Sequence, residues 1–426
     1  MDVTTWTLND DRFLHVLSRM LAVSEKLQNF PSKDKPPPQE DLAGDIVLTE
    51  LDPLVRAGKL LVERVSYAEG RGNLIITYPG KTKRTVAFVG AHLDVVPADP
   101  AEWQRPPFEL QRDGDRLYGR GVTDCLGHVA VLTEVFRQLA ESDVRLDHTV
   151  VGVIIANEEL SPVSGIGIGK LVQDGKLEHL KKGPVYWLDS ADFGPTIGTG
   201  GMAPWRLVVE GKVSHSGFPQ DGINAAEIAF EATRALQRWF YEHYPAHPNE
   251  QIYGFRAPSS LKPTRVSVEN DTLTKIPAKA VVEGDIRLTP WYSAQEVRDG
   301  ATAFINTLNV QSLPALGPSR YQLETHEVGT IKFESIGTPA GGIACDRTSA
   351  GYHALAEAVA AVCPESQPFS VTGGLPYVRM LQTNGFDIQI TGFGRMDTYH
   401  APNEFAELRH MRQGFQILCR ILATFG

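Results

Sequence analysis

The sequence is poor in cysteine, in unbroken apolar stretches and in clustered positive charge, and each shortage excludes a class of protein. Four cysteines, Cys125, Cys345, Cys363 and Cys419, are scattered over 426 residues with no CxxC pair. Reduced thiols in a cytoplasmic protein are therefore expected, not a disulfide framework. No run approaches the roughly 20 apolar residues of a membrane helix. The longest, Thr149 to Ala156, stops at Asn157-Glu158-Glu159. Met1 to Lys26 interleaves Asp10, Asp11, Arg12 and Arg19 with its apolar residues, unlike the basic start and apolar core of a secretory leader. The formal net charge is −10, and no Lys/Arg block is long enough to track phosphates. Neither nucleic acid nor a membrane surface is an expected partner. No GxGxxG follows the first apolar runs to open a helix, which argues against a dinucleotide enzyme.

What remains is an ordinary globular balance, 42% hydrophobic and 22% charged, in a chain long enough for more than one domain. Pro31 to Glu40 is rich in proline and charge and reads as a surface loop. Short apolar runs then alternate with helical spacing. Thr85 to Gly90, Thr149 to Ala156 and Val185 to Leu188 read as buried strands, and Leu126 to Leu139 as a helix. From about residue 203 the character changes. Trp205 to Val213 alternates like a half-exposed strand, and Lys279 to Leu288 puts Ala280, Val282, Gly284, Ile286 and Leu288 on one face. Helices are expected at Ala225 to about Tyr244 and at Ala294 to Leu308. The first pattern then returns, with helices at Ala350 to Val362, Leu375 to Thr383 and Leu408 to Phe425, and a strand at Asp387 to Thr391. The expected fold is α/β, a mainly parallel sheet flanked by helices over residues 1–202 and 336–426. A two-layer α+β domain is inserted at 203–335.

Acids and histidines cluster just past the apolar runs. His92 and Asp94 follow the first, Glu158 and Glu159 the second, and Asp189 the third, with Asp192 three residues on. Asp124 closes a glycine-rich turn before a helix, and His400 lies in Thr398-Tyr-His-Ala-Pro-Asn-Glu404. Carboxyl ends of strands are where open α/β sheets bind ligands. Singly, each residue has an ordinary reading: a hydrogen-bonded histidine, a helix-capping acid, a solvated glutamate pair. The pair at Glu158-Glu159 resists it, because a buried strand ending on two carboxylates is costly without a cation or partner. Together, imidazoles and carboxylates in these numbers suit two borderline cations, zinc first and cobalt as an alternative.

The succession His92-Leu-Asp94, Gly119-Arg-Gly-Val-Thr-Asp124, Asn157-Glu158-Glu159, Asp189, Ser214-His215-Ser-Gly217 and Tyr399-His400-Ala-Pro-Asn-Glu404 resembles the di-zinc aminoacylase and carboxypeptidase family. The resemblance implies two divalent metal ions. His92 and Asp189 would hold one, Glu159 and His400 the other, and Asp124 would bridge them. Asp94 would orient His92, and Glu158 would be the general base. His215 matches a histidine that reaches a neighbouring subunit's site, so a homodimer is implied. Arg287 matches an arginine that grips the substrate's α-carboxylate, although a polar-face arginine is the ordinary reading. Gly373 and Gly374 match a substrate loop. Thr274 stands where family members often carry asparagine, and Leu375 departs from the family's loop pattern. Gly70-Arg-Gly-Asn-Leu74, Thr123-Asp-Cys-Leu-Gly-His128 and Gly198-Thr-Gly-Gly-Met-Ala-Pro-Trp205 are similar to the plant-like acetylornithine deacetylases within the family. The implied substrate is a small N-acyl amino acid, N2-acetyl-L-ornithine. A general aminoacylase or dipeptidase with the same metals is the near alternative, and a non-catalytic binding protein on this fold the remote one.

Overall fold

The computed structural model describes residues 2–30, 32, 34–159, 163–375 and 377–426. Pro31 and Lys33 of the expected surface loop, and Pro376 of the expected helix at Leu375, lie outside them. The chain divides into two compact units: Met1–Ile197 with Cys345–Phe369 and Met380–Gly426, and Gly198–Ala344 with Ser370–Arg379. The second unit thus takes in the segment bearing Gly373 and Gly374, which composition alone assigned to the first.

In the first unit, sheet strands lie in the order Leu61–Ser66, Gly72–Tyr78, Thr149–Ile155, Thr85–His92, Pro184–Trp187, Asp387–Ile390. The last four run parallel, as the buried apolar runs imply, while the first two pair antiparallel. Thr85–His92 is buried at every position and Thr149–Ile155 at all but its first. Such strands are apolar throughout because neither face meets water. Helices Asp10–Leu21, Asp41–Arg56, Leu126–Ser142, Ala350–Val362 and Leu408–Phe425 share one core with the sheet, in which Phe13, Phe88, Phe136 and Phe415 are fully buried. Two of these helices carry side-chain caps: Asn9 accepts from the Arg12 N–H, and Ser349 from the Tyr352 N–H.

The second unit holds an antiparallel sheet in the order Ser260–Glu269, Lys279–Leu288, Gly201–Glu210, Thr330–Ser335. Helices Ala225–His243 and Ala294–Thr307 pack on one face, closing a core around Trp205, Leu207, Ile228, Phe240, Val282 and Val297. Gly201–Glu210 alternates buried and half-buried, as a strand with one covered face must. The opposite face carries charge: Glu283 accepts from Arg206 at 2.8 Å and also pairs with Arg265. Several boundaries differ from those read off the sequence. The strand expected from Trp205 starts at Gly201 and ends at Glu210, and the helix expected from Leu375 spans Val378–Thr383. The strands Leu61–Ser66, Gly72–Tyr78, Ser260–Glu269 and Thr330–Ser335 had no clear periodic signature.

Candidate metal centre

Three neighbouring parallel strands bring their carboxyl ends together. Thr149–Ile155 lies beside Thr85–His92, which lies beside Pro184–Trp187. Glu158 and Glu159, His92 and Asp94, and Asp189 therefore meet at one end of the sheet, although up to 97 positions separate them in sequence. Gly90 helps to aim His92. It sits at φ +87°, where a Cβ would come 2.5 Å from the Trp187 ring. Register with Thr149–Ile155 slips between Val89 and His92, a bulge that only glycine allows here.

His92 is wholly buried, with Nε2 3.0 Å from Asp124 Oδ1. The other oxygen of Asp124 lies 3.0 Å from His400 Nε2. One carboxylate thus faces two imidazoles, one on each oxygen, which is the arrangement a bridging ligand needs. His400 Nε2 is also 3.5 Å from Glu159 Oε2. Ligating atoms of His92, Glu158 and Glu159, of Asp124, Glu159 and His400, and of His92, Cys125 and Asp189 form groups within 4.8 Å. Asp189 rather than Asp192 stands beside His92; Asp192 is exposed and feels the charges of Asp397 and Arg395 instead. The Asp94 backbone carbonyl, at 2.8 Å, takes the contact on His92 Nδ1, with the Asp94 carboxylate at 3.6 Å. That carboxylate accepts instead from the backbone N–H groups of Glu158 and Glu159, both at 3.0 Å, and from Asn29 Nδ2 at 2.8 Å.

This surplus of buried acid shifts the titration of its own members. Burial raises Glu158 well above the usual carboxylate range, and Asp189 adds to the shift. Glu159 and Asp189 rise for the same two reasons, burial and the charge of Asp124. Asp124 goes the other way: burial opposes its charge, but hydrogen bonds from His400 and His92 prevail. Asp124 and Glu159 push His400 up to about 10. Burial disfavours charge on His92, yet Cys125, Asp124 and Asp94 hold it well above the ordinary imidazole value. Glu158 Oε1 and Glu159 Oε1 are buried without a hydrogen-bond partner among the described residues. A divalent cation would relieve both the repulsion and the two orphaned oxygens, and the donor set is the N/O mixture zinc accepts. The residues fit the group.

Residues 88–424 match the peptidase family M20/M25/M40. The chain belongs to that family. It is 42% identical to the acetylornithine deacetylase of Arabidopsis thaliana over 98% of this chain and 96% of that protein. It is also 42% identical to that of Dictyostelium discoideum over 99% and 98%. Human carnosine dipeptidase 1 shares the fold at a TM-score of 0.70 and 17% identity, over 98% of this chain and 96% of that one.

Sequence reasoning about this M20-family chain missed three features of the site. Cys125, read as an unremarkable thiol, lies against His92 and Asp189, and burial raises it well above the usual thiol value. Glu404 was quoted in a motif without a role. It is wholly buried, pairs with Arg120 at 2.7 Å and accepts from the N–H groups of Thr123 at 2.9 Å and Asp124 at 3.2 Å. The segment bearing His400 is thereby tied to the turn bearing Asp124. Asn29, which joins Asp94 to the backbone carbonyl of Glu159, had no local signal at all.

The remaining candidates belong to the second unit. His215 is exposed on the short strand Ser214–His215, where its Nδ1 accepts from the Gly217 N–H at 3.0 Å. Arg287 is partly exposed and faces Asp285, Nε to Oδ2 2.5 Å. A Cβ at Gly373 would meet nothing within 4 Å, and at Gly374 it would lie 3.2 Å from the Gly200 carbonyl oxygen. The protein's own packing does not require glycine at Gly373.

Proposed function

We propose that the chain is a metal-dependent amidohydrolase that converts N2-acetyl-L-ornithine to acetate and L-ornithine, a step of arginine biosynthesis, in the cytoplasm. The observation that carries the substrate is the 42% identity, end to end, with two acetylornithine deacetylases. Support for the chemistry comes from Asp124 lying between His92 and His400, beside two glutamate oxygens that have no hydrogen-bond partner among the described residues.

His92 and Asp189 are assigned to one divalent cation, Glu159 and His400 to the other, and Asp124 to both, with zinc the first choice and cobalt the second. Bound there, the two cations would supply Lewis acidity, activating a water near neutral pH and polarising the acyl carbonyl. Glu158 takes the proton of the attacking water and hands it to the departing amine. Asp94 holds the corner carrying Glu158 and Glu159 through their backbone N–H groups. His215 is assigned to the oxyanion in a neighbouring subunit's site. With Nδ1 used as an acceptor, its neutral ring carries the proton on Nε2, the donor that role requires. Arg287 is assigned to the substrate's α-carboxylate, and Gly373 and Gly374 to close backbone approach. A homodimer follows from the His215 assignment. The edge strand Ser260–Glu269, exposed from Lys262 onward, leaves backbone groups free for a second copy.

The test strips the protein with chelator, restores zinc or cobalt, and follows amine release from acetylornithine, acetylmethionine, succinyl-diaminopimelate and a dipeptide. Metal-restored cleavage favouring acetylornithine is expected. Preference for another of these amides would move the substrate while keeping the chemistry, and no cleavage of any with two metals bound would refute the reading.

A further inference from the structure

The stretch Gly70-Arg-Gly-Asn-Leu74, a turn that runs into the strand Gly72–Tyr78, has no part in the chemistry above, yet two of its side chains reach the corner that follows Thr149–Ile155. Arg71 is buried, and its Nη2 donates to Asn157 Oδ1 at 2.9 Å. Its Nε donates to both oxygens of Glu40, at 3.0 and 2.9 Å. Glu40, itself wholly buried, also accepts from the Asn157 N–H at 3.2 Å. Asn73 Oδ1 accepts from the Ala156 N–H at 3.0 Å, and its Nδ2 donates to the Ile166 carbonyl at 2.9 Å. The corner they grip turns sharply at Asn157, which sits at φ +60°, a left-handed conformation that asparagine tolerates better than most residues other than glycine. Glu158 follows at once, and its N–H and that of Glu159 both point to Asp94.

We propose that Arg71 and Asn73, with Glu40, are positioning residues that clamp the Ala156–Asn157 corner and so fix the direction in which the Glu158 carboxylate leaves the sheet. A fork is needed rather than a point charge, because the guanidinium must satisfy Glu40 and Asn157 at once. The turn is itself tied down: the Gly72 N–H donates to Asp41 Oδ1 at 3.0 Å, and the Asp41 N–H to the Gly70 carbonyl at 2.9 Å. The clamp therefore runs from the start of helix Asp41–Arg56, through the turn, to the glutamate pair.

The proposal rests on Glu158 acting as base, and its test separates the two. In metal-loaded full-length protein, Arg71→Lys is compared with wild type for metal content, kcat, KM and hydrogen exchange of the backbone amides of residues 156–159. The expected result is two bound metals, KM within about threefold, kcat down by roughly 10- to 100-fold as for a misplaced catalytic group, and exchange at 156–159 at least about tenfold faster. The double variant Glu40→Met/Arg71→Met leaves neither charge buried alone, so it keeps a folded chain if the single variant does not. It is expected to share the loss of kcat. Wild-type kcat per metal-loaded molecule in both variants would overturn the proposal. So would activity falling only in proportion to lost metal. Should wild type cleave none of the four amides, the functional reading fails, and amide exchange alone decides: faster exchange upholds the clamp, unchanged exchange removes it.

Discussion

The first unit buries nearly all its candidate residues and braces them from several sides, whereas the second leaves its own on the surface. His92, Asp124, Glu158, Glu159 and Asp189 are all buried at strand ends or tight turns, and the turns are tied by charged or amide side chains. His215 is exposed on a strand of two residues, and Arg287 pairs with Asp285 of its own strand. The contrast teaches where physical inference is strong. Carboxylates crowded together in the interior, two of whose oxygens lack a partner among the described residues, demand an explanation, and a cation supplies one. An exposed histidine or arginine demands none, so its role needs a functional experiment.

The sharpest way to break the comparison is at its strongest point. Glu158→Gln keeps the shape, removes the base, and is expected to retain both metals while losing about 10²- to 10⁴-fold in kcat. Elemental analysis beside steady-state kinetics checks it; near-wild-type turnover in a metal-replete sample would remove Glu158 from the chemistry. His215→Ala comes next. Loss of an oxyanion donor costs about 10²- to 10³-fold in kcat, and metal content should stay at the wild-type level. If turnover holds, the second unit's histidine is the loop residue that its exposure suggests.

Legibility followed the same division. The rule that ligands gather at strand ends pointed to His92, Glu158, Glu159 and Asp189, which the fold brings together, because a strand buried on both faces announces itself in composition and must stop where charge begins. His400 and Asp124 sit on turns, where no periodicity points to them; their residue types made them candidates, and the motif resemblance gave them roles. The bracing was not legible. Arg71 meets Asn157 across 86 positions of sequence, and Glu404 meets Thr123 across 281. Nothing local marks such pairs, since they exist only once the sheet order is set. Gly90 is similar: its need for glycine comes from the Trp187 ring, which no window around residue 90 contains.

Burial in the first unit also has a cost in acid. His128 is buried three residues after Cys125, where its Nε2 accepts from the Phe393 N–H at 2.7 Å and its ring stacks on Phe393. Burial lowers its pKa from 6.5 to about 4, although Asp124 pulls the other way. The unfolded chain therefore takes up the proton first. The neutral ring's contribution is whole above pH 6.5 and is lost as pH falls towards 4, on the order of 3 kcal/mol in all. His128→Gln keeps an acceptor for the Phe393 N–H but cannot titrate. Denaturant midpoints measured between about pH 7 and 4 should fall more steeply for wild type than for this variant. Parallel curves would mean that His128 does not change its protonation on unfolding in this range.

The smallest expected effect lies on the second unit's surface and tests whether exposure there means idleness. Arg287 already faces Asp285, so a substrate carboxylate must compete for the guanidinium and gains less than it would from a free fork. Arg287→Ala is expected to raise KM for acetylornithine about tenfold, close to 1.4 kcal/mol, with kcat within about threefold because the contact exists in ground and transition states alike. Asp285→Asn releases the competition and should lower KM by a few-fold. If both variants keep wild-type KM, Arg287 is a polar-face residue of Lys279–Leu288 and nothing more. Opposite shifts in the two would instead place a binding contact on a residue that burial and partners alone could never single out.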